Sequence, residues 1–218
     1  MSEAHATVLQ HHFEDLRQQK ESSTLGMWVF IAQEVLFFGG LFVTYTVYRA
    51  QYYRAFAASS HHLNVTLGAA NTAVLICSSL TMALAVHAAA LGHRKQVAAW
   101  LVMTVLLGSA FLGVKVVEYK DKWDHHLIPG PSFDAEILHL KGDEAKQAQI
   151  YFSLYFAMTG LHALHMIIGM PILLTLSVKA WKGRYGPAWS TPVELTGLYW
   201  HFVDIVWIFL FPFLYLIQ

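Results

Sequence analysis

A histidine and an aspartate three residues apart, His201 and Asp204, stand inside the apolar run Leu195 to Ile217. Side chains at that spacing share one face of a helix. A run this long and apolar is suited to cross a bilayer, where an ionisable group is costly unless it turns toward protein and so marks a functional position. The same i, i+3 pattern recurs at His162 and His165, and a single acid, Glu34, is set among Phe30, Val35, Leu36, Phe37 and Phe38. Three chemistries fit these residues. They can hydrogen-bond across helices and fix a bundle. A carboxyl group in apolar surroundings can exchange protons near neutrality, and Glu34 is the best placed for that. His87, His162, His165 and His201 could instead serve as axial ligands of a haem. No Glu-x-x-His pair falls within an apolar run, the one in the sequence, Glu136 and His139, lying in a polar loop, which disfavours a di-iron carboxylate bundle. One cysteine, Cys77, leaves neither an intrachain disulfide nor a cysteine-based metal cluster.

The elements that must position these groups are long apolar segments. Of 218 residues, 56% are hydrophobic and 13% charged, about half the charge of a soluble domain. Runs at 25–48, 67–91, 97–119, 150–178 and 195–217 are each long enough to span ~30 Å of hydrocarbon. The expected fold is therefore an all-α membrane protein, a bundle of five transmembrane helices over residues 25–218 after a polar segment 1–24. That segment and the length of the first run speak against a secretory signal. A formal net charge of zero gives no pointer to nucleic acid. Of thirteen histidines, His5, His11, His12, His61, His62, His125 and His126 lie in polar stretches, where solvation accounts for them.

Arg17, Lys20, Arg94, Lys95, Lys179, Lys182 and Arg184 fall on one side of such a bundle, and Arg49, Arg54, Lys115, Lys120, Lys122, Lys141 and Lys146 on the other. The counts tie, but the two short turns on the first side are basic and free of acids. The positive-inside rule weighs short loops, which places the N-terminus in the cytoplasm and the C-terminus outside. Small residues (Gly39, Gly40, Ser109, Gly113, Ala157, Gly160, Gly169) are expected to allow close helix approach. Pro171 and Pro212 are expected to kink or end their helices. Asn71 reads as an interhelical hydrogen-bond donor. Lys115 and Glu118 read as a local ion pair at the membrane boundary with the lysine snorkelling. Trp28, Tyr45, Tyr48, Trp100, Tyr119 and Trp123 read as interfacial anchors.

The wording of the runs adds a resemblance that covers nearly the whole chain. "GMWVFIAQEVLFFGGLF" around Glu34, "AANTAVLICSS" around Asn71 and Thr72, "FLGVKVVEY" ending at Glu118 and Tyr119, "TGLHALHMIIG" with Thr159, Gly160, His162 and His165, and "VELTGLYWHFVDIVW" with Glu194, Trp200, His201, Asp204 and Trp207 occur in that order. Together they resemble subunit III of the haem-copper respiratory oxidases, in a five-helix bacterial form that lacks two N-terminal helices of the mitochondrial members. The resemblance implies a non-catalytic subunit in a bacterial inner membrane, with no metal or cofactor of its own. Haem and copper would lie in partner subunits. It implies direct contact with subunit I, membership of one complex with subunit II and small subunits, bound phospholipids, and a respiratory supercomplex as a further level of assembly. It makes Glu34 the family's carbodiimide-reactive glutamate. The buried polar network would be Asn71, His162, His165, His201 and Asp204, with Glu118, Glu194, Trp200 and Trp207 as interface candidates. The lipid cleft formed with the two missing helices is in doubt here. The competing expectations are an accessory subunit of a nitric oxide reductase system and an independent haem- or quinone-binding membrane protein.

Overall fold

The computed structural model describes residues 9–187 and 189–217, so His5 lies outside the described residues. It is all-helical in its long elements: α1 (Leu16–Gln51), α2 (Tyr53–Ser60), α3 (Val65–Ala90), α4 (Arg94–Asp124), a 3₁₀ turn (Glu136–Leu138), α5 (Asp143–Trp181) and α6 (Thr191–Tyr215). Five of these helices are long and apolar enough to cross a membrane. They outrun the apolar segments, because polar residues at span ends carry helical hydrogen bonding on into the headgroup region. α1 starts at Leu16 behind an Asp15 cap that accepts the Gln18 N–H at 2.7 Å. The polar connection expected at 120–149 shrinks to 125–142. The short α2 was not visible as an apolar run, since it is too short to show periodicity.

α3, α4, α5 and α6 form the packed body, and α1 lies along α5 and α6 at its edge. Only Gln19, Glu34, Phe38 and Tyr45 of the 36 residues of α1 are buried. The stripe Glu34, Phe38, Tyr45 falls on one helical face. Three helix ends share one termination. After α3, Gly92 is left-handed and the His93 N–H reaches back to the Ala88 carbonyl at 2.9 Å. After α5, Gly183 and Arg184 repeat the arrangement on Ala180 and Lys179. After α4 the left-handed position is His126, at φ 52°, with the Leu127 N–H bonded to the Lys122 carbonyl.

Of the two outcomes expected at the prolines, ending the helix is not the one found: Pro171 and Pro212 both lie inside continuous α-helix. Neighbouring helices supply enough packing to carry the chain past the missing donor. The end of α6 is held from three directions. Tyr45 donates to the Phe213 carbonyl at 2.6 Å. Ser60 and Tyr151 both donate to the Leu214 carbonyl, at 2.9 and 2.8 Å.

Candidate functional site

Glu34 faces His165 across the α1–α5 contact, with Oε2 3.3 Å from Nε2 and side chains 12% and 14% exposed. The other ring nitrogen, Nδ1, lies 2.8 Å from the Leu161 carbonyl. A carbonyl only accepts, so Nδ1 carries the hydrogen. In a neutral ring Nε2 is then an acceptor, and Glu34 in its acid form donates to it. If the proton moves across, the pair becomes carboxylate and imidazolium. Phe38 packs beside His165 at 5.5 Å between ring centroids and beside Phe202 at 6.2 Å.

Two apolar grooves flank α1. One, of about 370 Å³, is lined by Met27, Phe30, His165, Ile168 and Tyr199 among others. The second, of about 600 Å³, runs between α1 and α6 from Trp28 to Phe213 and includes His201. His165, and through it Glu34, therefore borders one apolar opening and His201 the other, whereas Asn71, His162 and Asp204 are buried.

That inner layer does not form the network the spacing suggested. His162 and His165 diverge, whereas His201 and Asp204 both lie beside Ser79. His201 turns to Ser79, with Nδ1 and Oγ 2.8 Å apart. Asp204, 3% exposed, has no hydrogen bond of good geometry to either carboxylate oxygen. The histidines are not its partners, because His165 is taken by Glu34 and His201 by Ser79. His162 is 1% exposed with both ring nitrogens unpartnered among the described residues, packed edge-on to Phe111 and tilted on Trp207. Asn71 Nδ2 donates to the Phe111 carbonyl at 3.3 Å, an interhelical bond, while its Oδ1 is unpartnered.

The interface candidates turn the other way from expectation. Trp200 and Trp207 are at 0% exposure inside this chain, and Glu118 is at 5%. Trp200 fits a slot between two glycines: a Cβ on Gly108 or on Gly169 would meet its ring at 3.1 and 3.0 Å. Its indole N–H donates to Ser78, and that of Trp207 to Thr72, both at 3.0 Å. These tryptophans bolt α6 to α3. By contrast, a Cβ on Gly39, Gly40 or Gly113 would meet nothing within 4 Å, so those small residues do not mark helix contacts within the chain. Glu194 remains partly exposed, accepts from Ser190, and pairs with Lys20 of α1 at 3.2 Å.

A second polar cluster was misread from the sequence. Lys115 and Glu118 do pair, at 3.1 Å, but both side chains are buried, at 4% and 5% exposure, so the lysine does not snorkel. Lys115 Nζ also reaches the Tyr155 and Tyr215 hydroxyls at 3.1 and 3.0 Å. Glu118 accepts from Tyr155 at 2.6 Å and from Tyr215. The rings of Tyr119, Tyr155, Trp207 and Tyr215 surround the ammonium at 5.0–5.7 Å. α4, α5 and α6 thus meet at a closed ring of charge-assisted bonds. The tyrosines were the missing signal: Tyr155 and Tyr215 are distant in sequence, and only the fold brings them to Lys115. Tyr45, expected as a membrane-surface anchor, is also fully buried.

Among the described residues no group of three or more His, Cys, Asp or Glu gathers as a ligand set for a metal ion. The chain matches the family model described as cytochrome c oxidase subunit III over residues 3–124 and 144–218. It is 34% identical over 197 residues to cytochrome c oxidase subunit 3 of Corynebacterium diphtheriae, covering 89% of this chain and 88% of the relative. It is 30% identical over 217 residues to cytochrome bo(3) ubiquinol oxidase subunit 3 of Pseudomonas aeruginosa, covering 98% and 93%. It is 31% identical over 192 residues to quinol oxidase subunit 3 of Bacillus spizizenii, covering 88% and 85%.

Proposed function

The chain belongs to the cytochrome c oxidase subunit III family, and from that premise we propose that it braces the catalytic subunit of its complex and holds one exchangeable proton at Glu34 and His165. It is a multi-pass membrane protein and a subunit III of a haem-copper oxidase. Relatives named as oxidase subunit 3 do not favour a nitric oxide reductase accessory role or an independent haem or quinone protein.

On this reading subunit I is the direct partner, haem and copper reside in the other subunits, and the N-terminus faces the cytoplasm of a bacterial cell. Lipid acyl chains suit the apolar grooves beside α1. The buried tryptophans and the Lys115–Glu118 cluster hold the bundle rigid, and the exposed length of α1 is left for the complex and its lipids.

The observation that carries the proton-linked role is the pairing of Glu34 with His165 beside an apolar opening. A protonated acid reachable from lipid is the target of a hydrophobic carbodiimide. Treatment of the intact complex followed by peptide mapping should place the label on Glu34, with weaker proton pumping or faster inactivation during turnover while electron transfer continues. Glu34→Gln should abolish labelling and preserve assembly. A label elsewhere, or failure of Glu34→Gln to assemble, would show Glu34 to be structural.

A further inference from the structure

Five cations gather at one end of the bundle. Arg94 and Lys95 open α4, Lys179, Lys182 and Arg184 stand at the close of α5, and all five are exposed. The fold brings these two helix ends together. Ser177 near the end of α5 donates to the Ala98 carbonyl near the start of α4 at 3.1 Å. The turns beyond them interlock through left-handed glycines. A Cβ on Gly183 would meet the Arg94 guanidinium at 3.1 Å, and a Cβ on Gly92 would meet the Pro187 ring at 2.9 Å. Arg94 therefore lies against bare backbone at Gly183, with Lys182 and Arg184 as that glycine's chain neighbours. The connection that follows is closed on itself by the Gly186–Trp189 bridge.

No Asp or Glu occurs from 61 to 117 or from 145 to 193. The next acid, Glu194, is already held by Lys20 and Ser190. Elsewhere Arg17, Lys20, Arg54, Lys115, Lys122 and Lys146 each have a carboxylate within 4 Å. Among the described residues none of the five cations at this end has one. Like charges held together by backbone and packing repel one another, so their counter-charge has to come from outside these elements. The surface beside them says in what form. Leu174, Val178 and Lys182 follow one another at i, i+4 on one face of α5, with Trp181 next to them, and the three apolar side chains are exposed. A cationic end thus continues into an apolar strip that reaches ~12 Å along the helix.

We propose that the junction of the α3–α4 turn with the end of α5 is a binding site for an anionic phospholipid, its phosphate on Arg94, Lys182 and Arg184 and an acyl chain along Leu174, Val178 and Trp181. The site lies on α4 and α5, apart from the two grooves beside α1. Arginine offers forked N–H donors to phosphate oxygens and lysine adds a mobile point charge. Basic pockets between membrane helices recognise anionic headgroups in this way. A zwitterionic lipid brings the same phosphate but also an ammonium among five cations, so the site selects for net negative headgroups. A free phosphate or an acidic peptide would satisfy the charge and leave the apolar strip unused.

The test uses the complete complex reconstituted in vesicles with a trace of phosphatidylglycerol or of phosphatidylcholine, each carrying a photoactivatable group in one acyl chain, followed by peptide mapping. The phosphatidylglycerol probe should label residues 174–181 several-fold more than the phosphatidylcholine probe, and inorganic phosphate at constant ionic strength should not compete. Lys182→Gln with Arg184→Gln should bring the two yields together, while labelling beside α1 stays unchanged. Should that variant fail to assemble, Lys182→Gln alone should lower the ratio. Equal labelling by both probes in the native complex, or the full preference retained in whichever variant assembles, would overturn the site. Competition by inorganic phosphate would assign the cations to a free anion, and no label from either probe would show the face to be covered by protein; each result overturns the lipid site.

Discussion

The two buried polar regions of this bundle are built on opposite principles. Around Lys115 and Glu118 the charged groups and the two tyrosine hydroxyls are tied into a closed ring linking three helices. Asp204 and His162 are equally buried, but His162 has no hydrogen bond among the described residues and Asp204 has only the Ser79 hydroxyl beside it, with no bond of good geometry. Glu34 and His165 lie between these extremes, joined by one longer contact at the edge of a groove. Burial alone therefore does not separate a structural ion pair from a group kept available. The number of partners does.

The contrast is broken most directly at Glu118. Glu118→Leu leaves a buried ammonium without its counter-ion, a loss of about 3–5 kcal/mol. The complex carrying it should retain little of this subunit after detergent purification, as read on a native gel. The double change Lys115→Met, Glu118→Leu should recover part of that loss. Normal retention of the single variant would mean the ring contributes nothing.

Gly169→Leu comes next. It drives a side chain into the face of Trp200, and overpacking of this kind costs about 1–3 kcal/mol. Thermal release of the subunit should come at lower temperature, while Gly39→Leu, directed into open space within the chain, should leave the packing of α3 to α6 unchanged. Equal shifts in the midpoint of release for both would remove the distinction between the two glycine classes.

Asp204→Leu should cost less than about 1 kcal/mol, and the subunit should assemble as well as with Asp204→Asn. Asp204 makes no hydrogen bond of good geometry to lose, and the Ser79 hydroxyl beside it keeps His201 as a partner. A large assembly defect confined to Leu would reveal a hydrogen bond to Asp204 from elsewhere in the complex.

The smallest stability effect belongs to Glu34→Gln. An amide keeps the shape of the neutral acid and can still donate to His165 Nε2, so the melting profile of the complex should not move. The consequence should be confined to carbodiimide labelling and to proton handling.

Much of the architecture was legible in the sequence because a span announces itself: twenty apolar residues have few alternatives to a membrane helix. The family motifs likewise survive as words on single helices. What stayed hidden depends on the rotation of one helix against another. His162 and His165 share a helical face by spacing, yet one enters the aromatic core and the other turns to Glu34. Trp200 and Trp207 look like exposed aromatics until Gly108, Gly169, Ser78 and Thr72 are seen to receive them. Lys115 reads as a snorkelling residue because two of its partners lie 40 and 100 positions away. The bonds between helices are not written in any one of them.

The fastening of the end of α6 has a consequence for how the protein is made. The Phe213 and Leu214 carbonyls are among those a helix end leaves without internal partners, and in hydrocarbon such groups are expensive. Their donors, Tyr45, Ser60 and Tyr151, belong to segments that leave the ribosome before α6. Insertion of the earlier helices therefore produces an open assembly whose hydroxyls wait for the final span. The bundle reaches its native hydrogen bonding only when translation has delivered that last helix, so a ribosome stalled before Phe213 holds a set of inserted spans and not yet a folded subunit.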